Sequence, residues 1–557
     1  MKPPQILFLM ALLCGWSLSI PLVAQQDTST IPTGDSVRQM QFKAADSKTA
    51  DWGHWGTKPD KFSSWTNHSN RLVPIYTFGI NLSSFIDSNS IYQDEKRLTE
   101  LYGRTPEMST HPKASYMDQT EVYHLQKQAI EDGKKYIFLI VFDGMDWQTT
   151  RAAAIYRNRD DVYESGKGSG LAFQDYDKVE NDFGFFVCSP LVTSVTENVN
   201  GQIVQQKDNV KYGGYNPLLG GFHPWDKPAS YPYLISQDRA LPHAYTDSAS
   251  SATSMTAGVK TYNGSINVGV DGEKFTPIAR WLQSERQFAI GVVSSVPFCH
   301  ATPAATYANN VSRSDYQDIS RDLLGISSVA NRRPLAGMDV VIGAGWNEIR
   351  DTESQVKSAR SEQGSNYVPG NRYLAADDLA RIDVDNGGLY QTAIRSNGKP
   401  GKELLHSAAD RAVSKNQRLF GFFGIDGGHL PYATADGEFD PTRGVKSAER
   451  YTAADIAENP TLADMTEAGI KVLEKNEAGF WLLIEAGDVD WANHNNNIDD
   501  AIGAVFSGEA AFHSVIQWIE KNECWDESAV ILTADHGHLF VMKDPTAFIP
   551  KSESKSE

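Results

Sequence analysis

Six short runs of nearly uninterrupted apolar residues recur along the chain: Tyr136–Phe142, Phe288–Val293, Val340–Ile342, Leu419–Phe423, Phe480–Ile484 and Ala529–Leu532. Runs of strand length without polar alternation are the pattern of strands covered on both faces, as in a parallel sheet between layers of helices. Helical spacing fills much of the chain between them, at Ile278–Arg286, at Pro460–Asn476 through Leu462, Met465, Ile470 and Leu473, and along Ile498–Asn522. The alternation predicts an α/β fold with a central, mostly parallel sheet flanked by helices. The stretch 25–133 is polar and offers one strand-like run, Leu72–Phe78. The stretches 160–240 and 340–460 are rich in glycine, aromatic and polar residues, and are expected to be loop insertions over the site. The last residues, 546–557, are expected to be a flexible tail.

One segment breaks the pattern. Thr246–Gly258 is almost all Ser, Thr and Ala, too small to build an ordinary core helix, yet Asp247-Ser248 has the composition of a helix start. A serine there faces bare backbone N–H groups and the positive end of the helix dipole, a site for a phosphate-like anion. A Ser/Thr/Ala-rich surface helix or linker fits this stretch alone equally well.

Composition narrows the classes. With 557 residues, 40% of them apolar, the chain can bury a full core. A formal charge of −19 argues against nucleic acid as a specific partner. Met1-Lys2, the apolar run Ile6–Cys14 and Val23-Ala24 read as a signal peptide over residues 1–24, implying export to the periplasm or beyond. The run is short for a bilayer span, and no later segment is long and apolar enough to cross a membrane. Cys188, Cys299 and Cys524 remain, and their odd number allows at most one disulfide.

The chemistry-bearing residues gather at strand ends. Asp143 follows the first buried run; Glu485, Asp490 and His494 follow another; Asp535-His536 follow the last. In open α/β sheets ligands bind at the carboxyl ends of the strands. Asp490 and His494, four apart on a helical turn, face the same way and can share one metal. Carboxylates with imidazoles suit zinc, and harder oxygen donors suit magnesium. The implied chemistry is metal-assisted displacement at phosphorus.

Taken together, Thr246-Asp247-Ser248-Ala249, Val259–Gly264, His300-Ala301-Thr302-Pro303-Ala304, Ile484-Glu485 with Asp490-Trp491 and His494, and Thr533–His538 resemble the alkaline phosphatase family. The likeness runs from about 136 to 545 and is weaker near 160–240 and 340–460. It implies a phosphomonoester hydrolase with Ser248 as nucleophile, passing through a phosphoserine, and with two zinc ions and one magnesium. Asp143, Asp535 and His536 match the ligands of one zinc, Asp490 and His494 those of the other, and Asp143, Thr302 and Glu485 those of magnesium. Arg313, eleven residues beyond Thr302, matches the arginine that clamps the phosphoryl oxygens. His300 and Trp491 fall at variable positions beside the magnesium site, while His429 and His538 are left outside the ligand set. A related phosphodiesterase or nucleotide pyrophosphatase, and a non-catalytic metal or phosphate binder, remain alternatives. The substrates implied are small phosphomonoesters; oligomeric state is left open, a homodimer included.

One departure stands out. The family takes a further zinc-binding histidine from a segment well downstream of the Thr-Ala-Asp-His motif, but only 21 residues follow His536 here and His538 is their sole histidine. Trp65–Gly79, with His68 ahead of Val73-Pro74 and a Tyr-containing strand, resembles that missing segment. The expectation is a circular permutation, in which part of the N-terminal segment 25–110, about Ser36 to Tyr92, supplies the usual C-terminal unit. His68 then closes the second zinc site around the core 111–545.

Overall fold

The computed structural model describes residues 34–551 apart from 239 and 447. The signal-peptide reading of residues 1–24 and half of the expected tail, residues 552–557, therefore lie outside the described residues.

Ten strands form the main sheet: β1 Val73–Phe78, β2 Met117–Asp118, β3 Tyr136–Phe142, β4 Asn181–Val187, β5 Ala289–Pro297, β6 Val340–Ala344, β7 Tyr390–Ile394, β8 Arg418–Phe422, β9 Phe480–Ala486 and β10 Ser528–Thr533. Their order across the sheet is β7-β8-β6-β5-β9-β3-β10-β1-β4-β2. From β7 to β10 every pairing is parallel. The N-terminal strand β1 then joins β10 antiparallel, with Ile75 opposite Thr533, and β4 joins β1 antiparallel.

The uninterrupted apolar runs have the expected cause. On β9, Phe480 packs against Trp518 of helix Ile498–Lys521, with ring centres 5.4 Å apart. Its neighbour Trp481, pointing to the other face, donates Nε1–H to Gln126 of helix Glu121–Glu131 at 2.8 Å. Alternate residues of one strand thus meet helices on opposite sides of the sheet, and both positions must be apolar.

The structure corrects the sequence reading in three places. Residues 181–187, expected to lie in loops, form β4 inside the main sheet. Residues 390–394, expected to lie between strands, form the edge strand β7. The polar N-terminal stretch carries helices Ser36–Ser47, Glu95–Tyr102 and Glu121–Glu131. Strand β4 begins with half-exposed Asn181 and Asp182 and contains Gly184, so it never shows the buried-strand pattern. Cys188, Cys299 and Cys524 are buried free thiols, and no disulfide forms among them.

Candidate active site

The central parallel strands end on one rim of the sheet, and the candidate residues follow from there. Asp143 and Gly144 leave β3, Glu485 lies near the end of β9, and Asp535-His536 leave β10. Gly144 has φ +72°, and a Cβ there would meet His538 Nε2 at 2.8 Å and Asp490 Cα at 3.1 Å. Only glycine lets the β3 turn approach the histidines so closely. Its N–H and that of His536 both donate to Asp535 Oδ1, at 3.0 and 2.9 Å. The other oxygen, Asp535 Oδ2, has no hydrogen-bond partner among the described residues.

Ser248 opens the helix Ser248–Ala257, whose N-cap Asp247 accepts from Ser250 N at 3.0 Å. The small residues of this helix are its means of entering the core: Ser248 to Thr256 are all buried. Ser251 Oγ donates to the Asp535 carbonyl, and Gln119 Nε2 bridges the two at 2.6 and 2.7 Å. The serine helix is thereby bound to the strand end that carries Asp535 and His536. Ser248 Oγ lies 3.1 Å from His536 Nε2.

That same His536 nitrogen is 3.4 Å from Asp143 Oδ1 and 3.3 Å from Asp535 Oδ2. Burial, reinforced by Asp535, Asp490 and Glu485, pushes the Asp143 carboxyl well above the usual carboxylate range. Glu485 is pushed up to about 8, chiefly by burial, although it accepts from Ser294. Thr302, buried at the start of the short helix Ala301–Ala305, lies against Glu485. So many carboxylates in one buried place call for cationic partners.

A second group forms one step away. His68 Nδ1 faces the Thr246 carbonyl at 3.0 Å and His494 Nδ1 faces the Thr66 carbonyl at 2.6 Å. Carbonyls only accept, so both Nδ1 atoms carry the protons and both neutral rings present an Nε2 lone pair. Those two Nε2 atoms are 3.0 Å apart, and Asp490 Oδ1 lies 3.6 Å from one and 3.4 Å from the other. Burial and the neighbouring His536 and His494 keep His68 well below its ordinary pKa, so protonation does not relieve the crowding. Three converging electron pairs with outward-anchored rings fit a cation of the kind imidazole and carboxylate bind.

His538 also belongs here: its Nε2 lies 2.8 Å from Asp490 Oδ1. Against the opposing effect of burial, His494 and His538 hold Asp490 well below the usual carboxylate range. The signal for His538 was its position two beyond His536 at a strand, which puts both side chains on one face. Four buried residues, His68, Asp490, His536 and His538, bring ligand atoms within 4.8 Å of one another, as do Asp143, Asp535 and His536.

Arg313 lies at the edge of the site, donating NH1 to Asp247 Oδ2 at 3.0 Å with its side chain 28% exposed. His300 stacks on Tyr316 and sits 5.7 Å from Trp491; burial and Arg313 keep it well below its ordinary pKa. His429 lies apart from the ligand clusters, bonded to Glu449.

The alkaline phosphatase family model matches residues 229–553. The chain belongs to the alkaline phosphatase family. Alkaline phosphatase 3 of Bacillus subtilis (strain 168) is 28% identical over 308 residues, covering 55% of this chain and 52% of that protein. The alkaline phosphatase of Escherichia coli (strain K12) is 28% identical over 331 residues, covering 57% and 63%. Among solved structures, the alkaline phosphatase of the Antarctic bacterium TAB5 matches at 18% identity and a TM-score of 0.41, covering 73% of this chain and 80% of that one. The matched stretch thus spans between about half and two thirds of the length of the curated relatives. The family match begins at residue 229, so the N-terminal segment that brings His68 to the site lies outside it.

Proposed function

We propose that this alkaline phosphatase family member is a metal-dependent phosphomonoester hydrolase with Ser248 as its nucleophile. The observation that carries the reading is the 3.1 Å contact of Ser248 Oγ with His536 Nε2, the nitrogen that also faces Asp143 and Asp535. A hydroxyl held at the start of a buried helix, beside two clusters of ligand atoms, has the layout of covalent phosphoryl transfer.

Asp143, Asp535 and His536 would hold one zinc, and His68, Asp490 and His494 the other, with His538 bracing Asp490 by its hydrogen bond. Asp143, Thr302 and Glu485 would hold magnesium. Such cations supply charge for the attacking and leaving oxygens. Arg313 would clamp the non-bridging phosphoryl oxygens, its planar fork already steadied by Asp247. Ser248 Oγ gives up its proton and bonds to phosphorus as the bond to the alcohol oxygen breaks, and the departing oxygen takes a proton. Water then attacks phosphorus, freeing Ser248 and inorganic phosphate.

The same reading includes the permutation. Strand β1 extends the sheet beyond β10, Gly537-His538 pair with His68-Ser69, and Lys551 N donates to Ser36 Oγ at 3.0 Å. Residues 36 and 551, near the two limits of the described residues, thus lie side by side, as a permuted fold requires. Export rests on residues 1–24 alone; among the described residues no helix is long and apolar enough to cross a membrane.

The deciding experiment is acid quench of the zinc- and magnesium-loaded protein with a radiolabelled phosphomonoester, followed by peptide mapping. Label on the peptide containing Ser248, and none in Ser248→Ala, is expected. Turnover without any label on that peptide would overturn the nucleophile assignment. Faster hydrolysis of a nitrophenyl diester than of the monoester would favour a phosphodiesterase instead.

A further inference from the structure

The segment Val259–Gly264 supplies no ligand or nucleophile to the proposed site, yet its last two residues touch the start of the serine helix and the backbone of Arg313 at once. Asn263 Oδ1 accepts from the Asp247 N–H at 3.2 Å and from Ser250 Oγ at 2.9 Å. Its Nδ2 donates to the Tyr245 carbonyl at 3.1 Å. One side chain thus grips the backbone on both sides of Thr246, directly ahead of the N-cap Asp247.

The chemistry of these partners selects an amide. Asp247 offers an N–H and Tyr245 a carbonyl, so the partner must accept at one atom and donate at another. Aspartate at 263 would have no donor for the carbonyl, and serine would offer one atom where the amide offers two. The N–H of an N-cap residue has no acceptor within its own helix, and Asn263 is what receives it.

Gly264 continues the grip. Its N–H lies 3.1 Å from each carboxylate oxygen of Asp247, and its carbonyl accepts from the Arg313 backbone N–H at 2.7 Å. Gly264 has φ +93° and open space where a Cβ would stand, so glycine serves the turn of the backbone there and not a close approach. Asn263-Gly264 therefore holds the Asp247 peptide, the Asp247 carboxylate and the Arg313 peptide together. Asp247 Oδ2 in turn receives Arg313 NH1 at 3.0 Å, the one hydrogen bond of that side chain among the described residues. A long, partly exposed arginine with a single anchor depends on that anchor for its orientation, and an unordered side chain must lose its rotamer freedom when a ligand binds.

We propose that Asn263 is a positioning residue for phosphate recognition: it fixes the Asp247 peptide, the Asp247 carboxylate fixes the Arg313 fork, and the fork meets the phosphoryl oxygens already ordered. The inference rests on the phosphomonoesterase reading for the role of Arg313 and adds the residue that orders it.

The test is calorimetric titration of inorganic phosphate into the zinc- and magnesium-loaded protein. Asn263→Ala is expected to weaken phosphate binding about tenfold, the scale of one hydrogen bond to a charged group, with zinc content unchanged. In an Arg313→Ala background the same substitution should weaken it by less than about twofold, because the group it acts through is gone. A residue that matters only for folding would weaken binding by the same factor in both backgrounds. Arg313 meets the phosphoryl group of ester and product alike, so KM for a phosphomonoester should rise with the phosphate Kd while kcat stays within about threefold. Unchanged phosphate affinity in Asn263→Ala, equal losses in the two backgrounds, loss of zinc, or a fall in kcat alone would each overturn the inference. A wild-type protein that binds phosphate but hydrolyses no monoester would overturn the phosphomonoesterase reading instead, and the titrations would still decide the role of Asn263.

Discussion

His68 and His494 stand 426 positions apart in the chain, yet their Nε2 atoms lie 3.0 Å from each other, each ring anchored through Nδ1 to a backbone carbonyl. The second carbonyl belongs to Thr66, two residues before His68, so the N-terminal segment supplies one donor and orients the other. In the proposed site His68→Ala removes a ligand atom and leaves His494 and Asp490 as an incomplete pair. It is expected to lower bound zinc by about one equivalent, as read by elemental analysis after dialysis. Turnover should fall at least ~10- to 100-fold, the loss typical even of residues that only support metal ligands. Full zinc content with unchanged turnover would remove His68 from the site.

The carboxylates predict how pH acts. Glu485 is raised to about 8 and Asp143 well above its ordinary value, so in the folded chain both hold protons more tightly than when unfolded. Stability from such groups is present below the unfolded pKa, near 4, and is lost as pH rises through the folded value. Above the unfolded histidine pKa, where the lowered His68, His494 and His300 no longer contribute a pH slope, the melting temperature in excess chelator should therefore fall from about pH 7 to pH 9. With zinc and magnesium the same carboxylates must be ionised to bind, so metal retention should strengthen over that range and each ion should release protons on binding. A melting temperature that rises with pH over that range in chelator would contradict the assignment of these raised groups.

How much of this could be read from the chain depends on how locally each feature is encoded. Strands β3 and β9 lie in the middle of the sheet, covered on both faces, and their composition alone gives them away. Asp143, Glu485 and Asp535 could be proposed because residues at the ends of such strands meet on one rim. Strand β4 was hidden because Asn181, Asp182 and Gly184 interrupt its apolar pattern, and β7 because it lies at the sheet edge. Gln119 was invisible for a different reason. Its role is to bridge Ser251 and the Asp535 carbonyl, contacts 132 and 416 positions away, and no local pattern encodes such a bridge.

Beneath the serine helix, Lys260 Nζ lies 3.0 Å from Asp118 Oδ1 with both side chains fully buried. Asp118 also accepts from Tyr92 OH at 2.8 Å and from Thr120. Removing the ammonium leaves a carboxylate with hydroxyl partners and no opposite charge. Lys260→Met should therefore destabilise by about 3–5 kcal/mol, measured as a lowered urea midpoint. Adding Asp118→Asn, which takes away the orphaned charge but keeps an acceptor, should recover part of that loss. A midpoint within error of wild type for Lys260→Met would mean that the pair is not held as described.

The meeting of residues 36 and 551 gives the last prediction. Lys551 N reaches Ser36 Oγ at 3.0 Å, so a short linker can join residue 551 to residue 34 without moving either. New ends can be opened in the loop after helix Glu95–Tyr102, where Met108 is 57% exposed. Exposed loop tips of this kind tolerate new termini. The rearranged chain runs from about residue 109 through 551 and the linker to residue 34, and ends near 107. It then carries His68 downstream of His536, the order that the resemblance to the family implies. Because β1 pairs with β10 and His68-Ser69 with Gly537-His538, every contact of the second cluster is between segments that remain intact. The rearranged protein is expected to keep its zinc content and to retain turnover within about tenfold of the parent, since no ligand or strand pairing is lost. A soluble, folded product that binds one zinc fewer would show that the connection between residues 107 and 109 positions His68, and that its place does not depend on pairing alone.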